Sequence, residues 1–72
     1  MKEIFIETEY IRMDQLLKYA NIAGTGGEAK ILIKQGLVKV NGEIVTQRGK
    51  KIRNRDIVEV NGIKIKIKNE NN

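Results

Sequence analysis

Cysteine and histidine are both missing from this 72-residue chain. Without cysteine there is no disulfide, no thiolate metal site and no thiol nucleophile, and nothing points to an oxidising compartment. Without histidine the commonest general base at neutral pH is gone, together with most transition-metal ligands. Carboxylates and lysines remain, but no pair of them stands in a context that would form a cleft. The expectation is a protein that is not an enzyme, with no cofactor and no metal. Aromatic residues are scarce: Phe5, Tyr10 and Tyr19 are the whole set, and none lies between residues 37 and 67. A base-stacking sheet needs aromatics on its strands, so any nucleic-acid recognition has to rest on backbone charge and shape. Tyr19 reads as core more than as contact surface. Long apolar runs are absent too. Nothing is long enough to span a membrane, and the opening Met1–Glu7 carries acids where a secretory signal would be basic and then apolar. A cytoplasmic location, no membrane contact and a monomer are expected.

What is present is a short, basic, strongly patterned chain. Seventy-two residues give one domain, 1–72, whose thin core hides only ~60% of the surface the unfolded chain exposes. The net charge is +5, unevenly spread. Residues 1–29 hold three bases and five acids, residues 30–55 eight bases and one acid, and residues 56–72 three of each. A basic excess of +7 confined to the middle suggests a patch facing a polyanion, against the plainer reading of a lysine-rich surface kept for solubility.

The hydrophobic period changes twice. Residues 3–8 alternate weakly, with Ile4 and Ile6 on one side, as in a short strand. Over about 12–22, Met13, Leu16, Leu17 and Ala20 fall at helical spacing, with Asp14 in the first turn where negative charge suits the helix dipole. Gly24-Thr25-Gly26-Gly27 breaks this helix. A second is predicted over about 27–35, with Thr25 as N-cap, Gly36 as the left-handed residue beyond its end, and Ala29, Leu32 and Ile33 buried. From residue 37 the period is two: Leu37–Val40, a turn at Asn41-Gly42, the return strand 43–46, a basic loop-like stretch 47–55 anchored by Ile52, strand Ile57–Val60, a second turn at Asn61-Gly62, and a last strand 63–68. The tail 69–72 is expected to fray. Strand, two short helices and two hairpins make an α+β domain, with the helices on a small, mainly antiparallel sheet. Its core is expected to combine Leu16, Leu17, Leu32, Ile33, Val38 and Val40.

Three features invite a functional reading. The run Gly24–Ala29 fits a loose dinucleotide pattern, but it follows a helix rather than a strand and lacks a βαβ unit, which excludes nucleotide binding. Glycines there allow a tight turn and the approach of a polyanion to the start of the second helix. The densest cluster, Arg48, Lys50, Lys51, Arg53 and Arg55, repels itself in the fold, and a nucleic-acid backbone would relieve that repulsion and release counterions. Lys30 and Lys34, one turn apart on the second helix, and Lys39 add to it. Lys64, Lys66 and Lys68 alternate along the terminal strand and read as protection of a sheet edge.

These residues carry a resemblance. Arg12-Met13-Asp14, Leu16-Leu17, Ala29-Lys30, Ile33-Lys34-Gln35-Gly36, Val38-Lys39-Val40-Asn41-Gly42 and Asp56-Ile57-Val58-Glu59-Val60, in this order and spacing, resemble the RNA-binding domain first seen in ribosomal small-subunit protein S-four. The resemblance covers residues 12–60. It implies the alpha-L motif, two helices packed against a small sheet, and structured RNA lying across the helix pair and the following hairpin. It matches Arg12 to the basic residue that opens helix one and Thr25 to the serine before helix two. Lys30, Lys34 and Lys39 match positions that are often basic, and Asn41-Gly42 the hairpin tip. Gly26 stands where the family commonly has arginine, a role that Lys30 or the basic stretch 48–55 would take over. The chain looks like the short stand-alone bacterial members of a group whose domain is also appended to pseudouridine synthases and tyrosyl-tRNA synthetases.

The expectation is an RNA-binding protein that docks on structured RNA, ribosomal RNA and the ribosomal subunit foremost, through Arg12, Thr25, Lys30, Lys34, Lys39, Arg48, Lys50, Lys51, Arg53 and Arg55. Two alternatives are a DNA-binding accessory protein and an adaptor that docks an acidic protein on its basic loop.

Overall fold

Alternating apolar residues set the main sheet. The computed structural model describes residues 1–69. Its elements are β1 (Lys2–Ile6), β2 (Tyr10–Arg12), α1 (Met13–Tyr19), α2 (Gly26–Lys34), β3 (Val38–Val40), β4 (Glu43–Ile44), β5 (Lys51–Arg53), β6 (Ile57–Val60) and β7 (Ile63–Asn69). Five strands form one sheet in the order β1-β7-β6-β3-β4, and β2 with β5 forms a separate ribbon. The β1–β7 pairing is parallel; the others in the sheet are antiparallel. The fold is α+β, with two helices on one face of a mixed, mostly antiparallel sheet.

Period two explains which face is buried. Ile4 and Ile6 of β1, Ile65 and Ile67 of β7, Val58 and Val60 of β6, and Val38 and Val40 of β3 all turn inward. Met13, Leu16, Leu17, Ala20, Ala29 and Ile33 from the helices meet them, with Ile52 closing the ribbon side. Both Asn-Gly pairs are turns as predicted. Asn41 and Gly42 have φ of 52° and 88°, Asn61 and Gly62 of 52° and 80°. Positive φ at both central residues is what a type I′ hairpin turn requires. Asn41 also ties its turn to β6: its Oδ1 accepts from Ile57 N–H at 2.9 Å, and its Nδ2 donates to Asp56 at 3.1 Å.

Several expectations need correction. The first helix is seven residues rather than the span 12–22. Asn21, at φ 60°, turns the chain out of it, and the N–H groups of Asn21 and Ile22 donate back to the carbonyls of Lys18 and Leu17. This is the Schellman arrangement, with asparagine where glycine is commoner. Gly36, at φ 74°, ends α2 in the same way, donating to Ile33 while Leu37 donates to Leu32. Leu32 is half-buried beside the core rather than in it, because Ala29 and Ile33 take the inward stripe of α2. Tyr19 is 65% exposed, since Leu16, Leu17 and Ala20 fill the inward face of α1.

The stretch 47–55 is not all loop, for Lys51–Arg53 is β5. β7 is not an edge: β1 lies along one side of it and β6 along the other. Its lysines sit on the outer face in cross-strand register, Lys64 opposite Glu59 and Lys66 opposite Glu3, and Lys68 pairs with Glu3 at 3.1 Å. Asn69, expected to fray, is the buried last residue of β7: its N–H donates to Asn54 Oδ1 and its Nδ2 to the Thr8 carbonyl. The rest of the tail, 70–72, lies outside the described residues.

Thr25 caps α2 as predicted, its hydroxyl accepting from Glu28 N–H at 3.1 Å while the Glu28 carboxylate accepts from Gly24 N–H at 2.9 Å. The first bond satisfies a donor that the helix start leaves orphaned, and the second ties the turn before the cap to the first turn of the helix. Thr25→Ala is expected to lower stability by about 1 kcal/mol, read from urea unfolding. Thr25→Ser should restore most of the loss. An unchanged midpoint in the alanine variant would show that the hydroxyl does not hold the helix.

Candidate nucleic-acid interface

Two short triplets build the site. Tyr10-Ile11-Arg12 and Lys51-Ile52-Arg53 each place one isoleucine between polar neighbours, and they pair antiparallel as β2 and β5, with Ile11 opposite Ile52. Ile52 is fully buried and Ile11 packs against the core. Period two then sends the flanking residues to the other face. Tyr10 stands opposite Arg53, and Arg12 opposite Lys51. Three cations and one aromatic ring thus share the solvent face of a ribbon six residues in all. Lys51 Nζ lies 4.9 Å from the centroid of the Tyr10 ring, and Arg53 Cζ 5.7 Å. Both are within the range where the ring quadrupole attracts a cation.

The ribbon is locked to the start of α1. Met13 N–H donates to the Lys50 carbonyl at 2.9 Å, and Asp14 N–H to the Arg48 carbonyl at 3.1 Å. Two first-turn donors of the helix are satisfied by the basic segment, which brings Arg48 and Lys50 to the helix entrance. Arg12 reaches over the same segment: a Cβ added at Gly49 would lie 4.0 Å from Arg12 Nη2. Both arginines keep about half of their side chains exposed in their ion pairs, Arg12 with the largely covered Asp14 at 3.2 Å and Arg53 with the exposed Glu9 at 3.3 Å. Ion pairs open to solvent contribute little, so the half-exposed guanidinium groups can still meet a phosphate. Arg48, Lys50 and Lys51 make no ion pair among the described residues.

Five of the expected residues therefore gather in one place: Arg12, Arg48, Lys50, Lys51 and Arg53. Lys30 and Lys34 lie on α2, which packs on α1, Lys30 half-buried and Lys34 exposed. Lys39 is on the outer face of the main sheet, opposite Glu59 of β6 and Ile44 of β4. Arg55 follows β5 and lines a depression on that same outer face. The Thr25 hydroxyl is engaged in capping α2. Sequence reasoning passed over Tyr10; the signal for it was the matching form of the two polar–isoleucine–polar triplets, which marks them as partners. Among the described residues no group of three or more His, Cys, Asp or Glu can hold a metal ion, and no helix is long and apolar enough to cross a membrane.

Comparison with known proteins adds the context. A family model described as S4 domain matches residues 4–68. The chain is 41% identical over 59 residues to the probable ribosome maturation protein RlbA of Bacillus subtilis, covering 82% of this chain and 83% of that protein. It is 43% identical over 54 residues to ribosomal large subunit pseudouridine synthase B of the same organism, covering 75% of this chain but 22% of the synthase. Among solved structures, YbcJ from E. coli superposes with a TM-score of 0.73 at 28% identity, over 94% of this chain and 87% of that one; its solution structure is described as revealing an alpha-L motif involved in RNA binding. The ribosomal protein S4e of Thermoplasma acidophilum shares the fold, with a TM-score of 0.67 at 24% identity, over 81% of this chain and 31% of that one.

Proposed function

This chain belongs to the S4 domain family, and from that premise we propose that it is a non-enzymatic RNA-binding protein that docks on structured RNA, ribosomal RNA foremost, through phosphate and shape contacts. The observation that carries the reading is the ribbon face, which Arg12, Lys51 and Arg53 share with Tyr10 beside Arg48 and Lys50. Phosphates are the anions such a surface fits, and their contacts position a partner without reading sequence. The alpha-L fold shared with YbcJ, whose motif is described as involved in RNA binding, supports RNA as the polymer. The relative matched over most of its length is named for ribosome maturation, which supports the ribosome as the setting. The chain spans 22% of the pseudouridine synthase, and the activity in that protein's name is not part of the proposal.

The test is crosslinking of the protein to RNA in cells followed by sequencing of the attached RNA, with matched RNA and DNA hairpins competed in vitro. Enrichment of ribosomal RNA over transfer and messenger RNA is expected, with the RNA hairpin outcompeting the DNA hairpin. Equal affinity for the two hairpins would favour a DNA-binding accessory protein. RNA binding insensitive to salt, with tight capture of an acidic protein, would favour an adaptor.

A further inference from the structure

We propose that the outer face of the main sheet, turned away from the helices, carries a second RNA-binding position: a subsite for one unpaired nucleotide, with Phe5 under the base and Arg55, Lys66 and Lys68 around its phosphate. This rests on the RNA-binding reading above. A depression of about 420 Å³ opens on that face, lined by these four residues together with Asn54, Ile57 and Asn69. It is separate from the ribbon, none of whose residues line it.

Three observations support it. Phe5 is the chain's single phenylalanine, and it stands 52% exposed on the outward side of β1 while its neighbours Ile4 and Ile6 are buried. A flat apolar ring beside cations suits a nucleotide, because every base offers a π face for stacking and carries a phosphate with it. An acidic peptide would use the cations and leave the ring idle. The second observation is charge. Glu3 is the carboxylate facing these lysines, in register with Lys66 and 3.1 Å from Lys68. Glu59 answers Lys64 and Lys39 further along the sheet. Asp56 is engaged at the hairpin side, bonded to Asn41 and to Arg53 N–H. Among the described residues three cations and no carboxylate line the depression, a local positive excess.

The third is backbone strain at Arg55. Residues 53–56 form a turn closed by Asp56 N–H donating to the Arg53 carbonyl at 3.1 Å, and Arg55 N–H donates to the Ile67 carbonyl at 2.7 Å. Arg55 sits at the third position of this turn with φ 76°. That conformation suits glycine or asparagine, and asparagine stands one position earlier. The Arg55 guanidinium makes no hydrogen bond or ion pair among the described residues. A residue strained in the fold, with a charged group the fold does not use, is the pattern found where binding sets the choice. Arg55 also lies two residues beyond Arg53 of the ribbon, at most ~7 Å along the backbone. One RNA strand leaving the ribbon therefore meets the subsite next.

The experiment uses the full chain and two fluorescent probes: a blunt RNA hairpin, and the same hairpin with a four-uridine single-stranded tail. The tail is expected to tighten binding roughly tenfold, the worth of one stacked base. Phe5→Leu and Arg55→Gly should each abolish that gain and leave affinity for the blunt hairpin within about twofold of wild type. Arg55→Gly should melt at or above the wild-type temperature, because glycine accepts φ 76° without strain. A fall in affinity with no fall in stability separates a binding role from a folding defect. A blunt hairpin bound with no gain from the tail would overturn the subsite and leave the main reading standing. So would a gain that survives both substitutions, or a decaglutamate peptide that displaces the tail equally from wild type and Phe5→Leu. Binding of neither probe would overturn both.

Discussion

Arg48→Glu with Lys51→Glu should weaken RNA binding by about a hundredfold, roughly tenfold for each charge-assisted hydrogen bond to phosphate that is removed. Both side chains are exposed, and neither is ion-paired among the described residues, so the double variant breaks no salt bridge of the fold. The slope of log affinity against log salt should flatten by roughly 0.7–0.9 for each phosphate no longer neutralised, because fewer counterions are released on binding. The control is Lys2→Glu with Lys18→Glu, an equal change of formal charge at exposed positions outside the ribbon. It should weaken binding far less, through long-range charge alone. Salt titrations of the blunt hairpin with both variants, after circular dichroism shows each folded, decide the matter. Equal losses would mean that net charge does the binding, and the ribbon would lose its assignment.

Ile33→Ala should destabilise the protein by about 2–5 kcal/mol. Ile33 is fully buried on α2, in the same cluster as Leu16 and Leu17 of α1 and Val38 of β3. For a domain of this size total stability is on the order of 5 kcal/mol, so the variant should be largely unfolded at 37 °C. Leu32→Ala, one residue away, removes a side chain that is half-buried at the margin of the core and should lose markedly less. Urea unfolding of both variants gives the comparison. Equal losses would show that the helix presents a different stripe to the sheet. Since α1 has only seven residues and is marginal alone, the same unfolding should remove all helical signal in one transition.

Much of this architecture is written in local pattern. The two Asn-Gly turns, the Thr25 cap and Gly36 beyond α2 were each legible, because each depends on the conformational preference of one or two residues. Val38, Val40, Val58, Val60, Ile65 and Ile67 announced their buried face by alternation. What local pattern missed depends on neighbours distant in sequence. Asn21 ends α1 where the apolar spacing would carry the helix on to residue 22. Lys51-Ile52-Arg53 is too short and too charged to read as a strand until Tyr10-Ile11-Arg12 is found beside it.

The candidate site divides along the same line. Composition alone removed cysteine and histidine chemistry, since that depends only on which side chains exist, and the order of the charges located the basic middle of the chain. Sequence order set the helices, the hairpins and the inward residues, because propensity and period act over a few residues. Only the tertiary structure could decide which cations share a face. It brought Arg12, nearly forty residues upstream in the chain, onto the ribbon with Lys51, and set Arg55 apart from the ribbon, on the outer face of the main sheet with Phe5, Lys66 and Lys68. It also set β1 beside β7 in parallel, so that lysines expected at an edge lie within the sheet. Strand order and inter-element docking are settled by the joint burial of all the apolar faces at once, and no single segment holds that information.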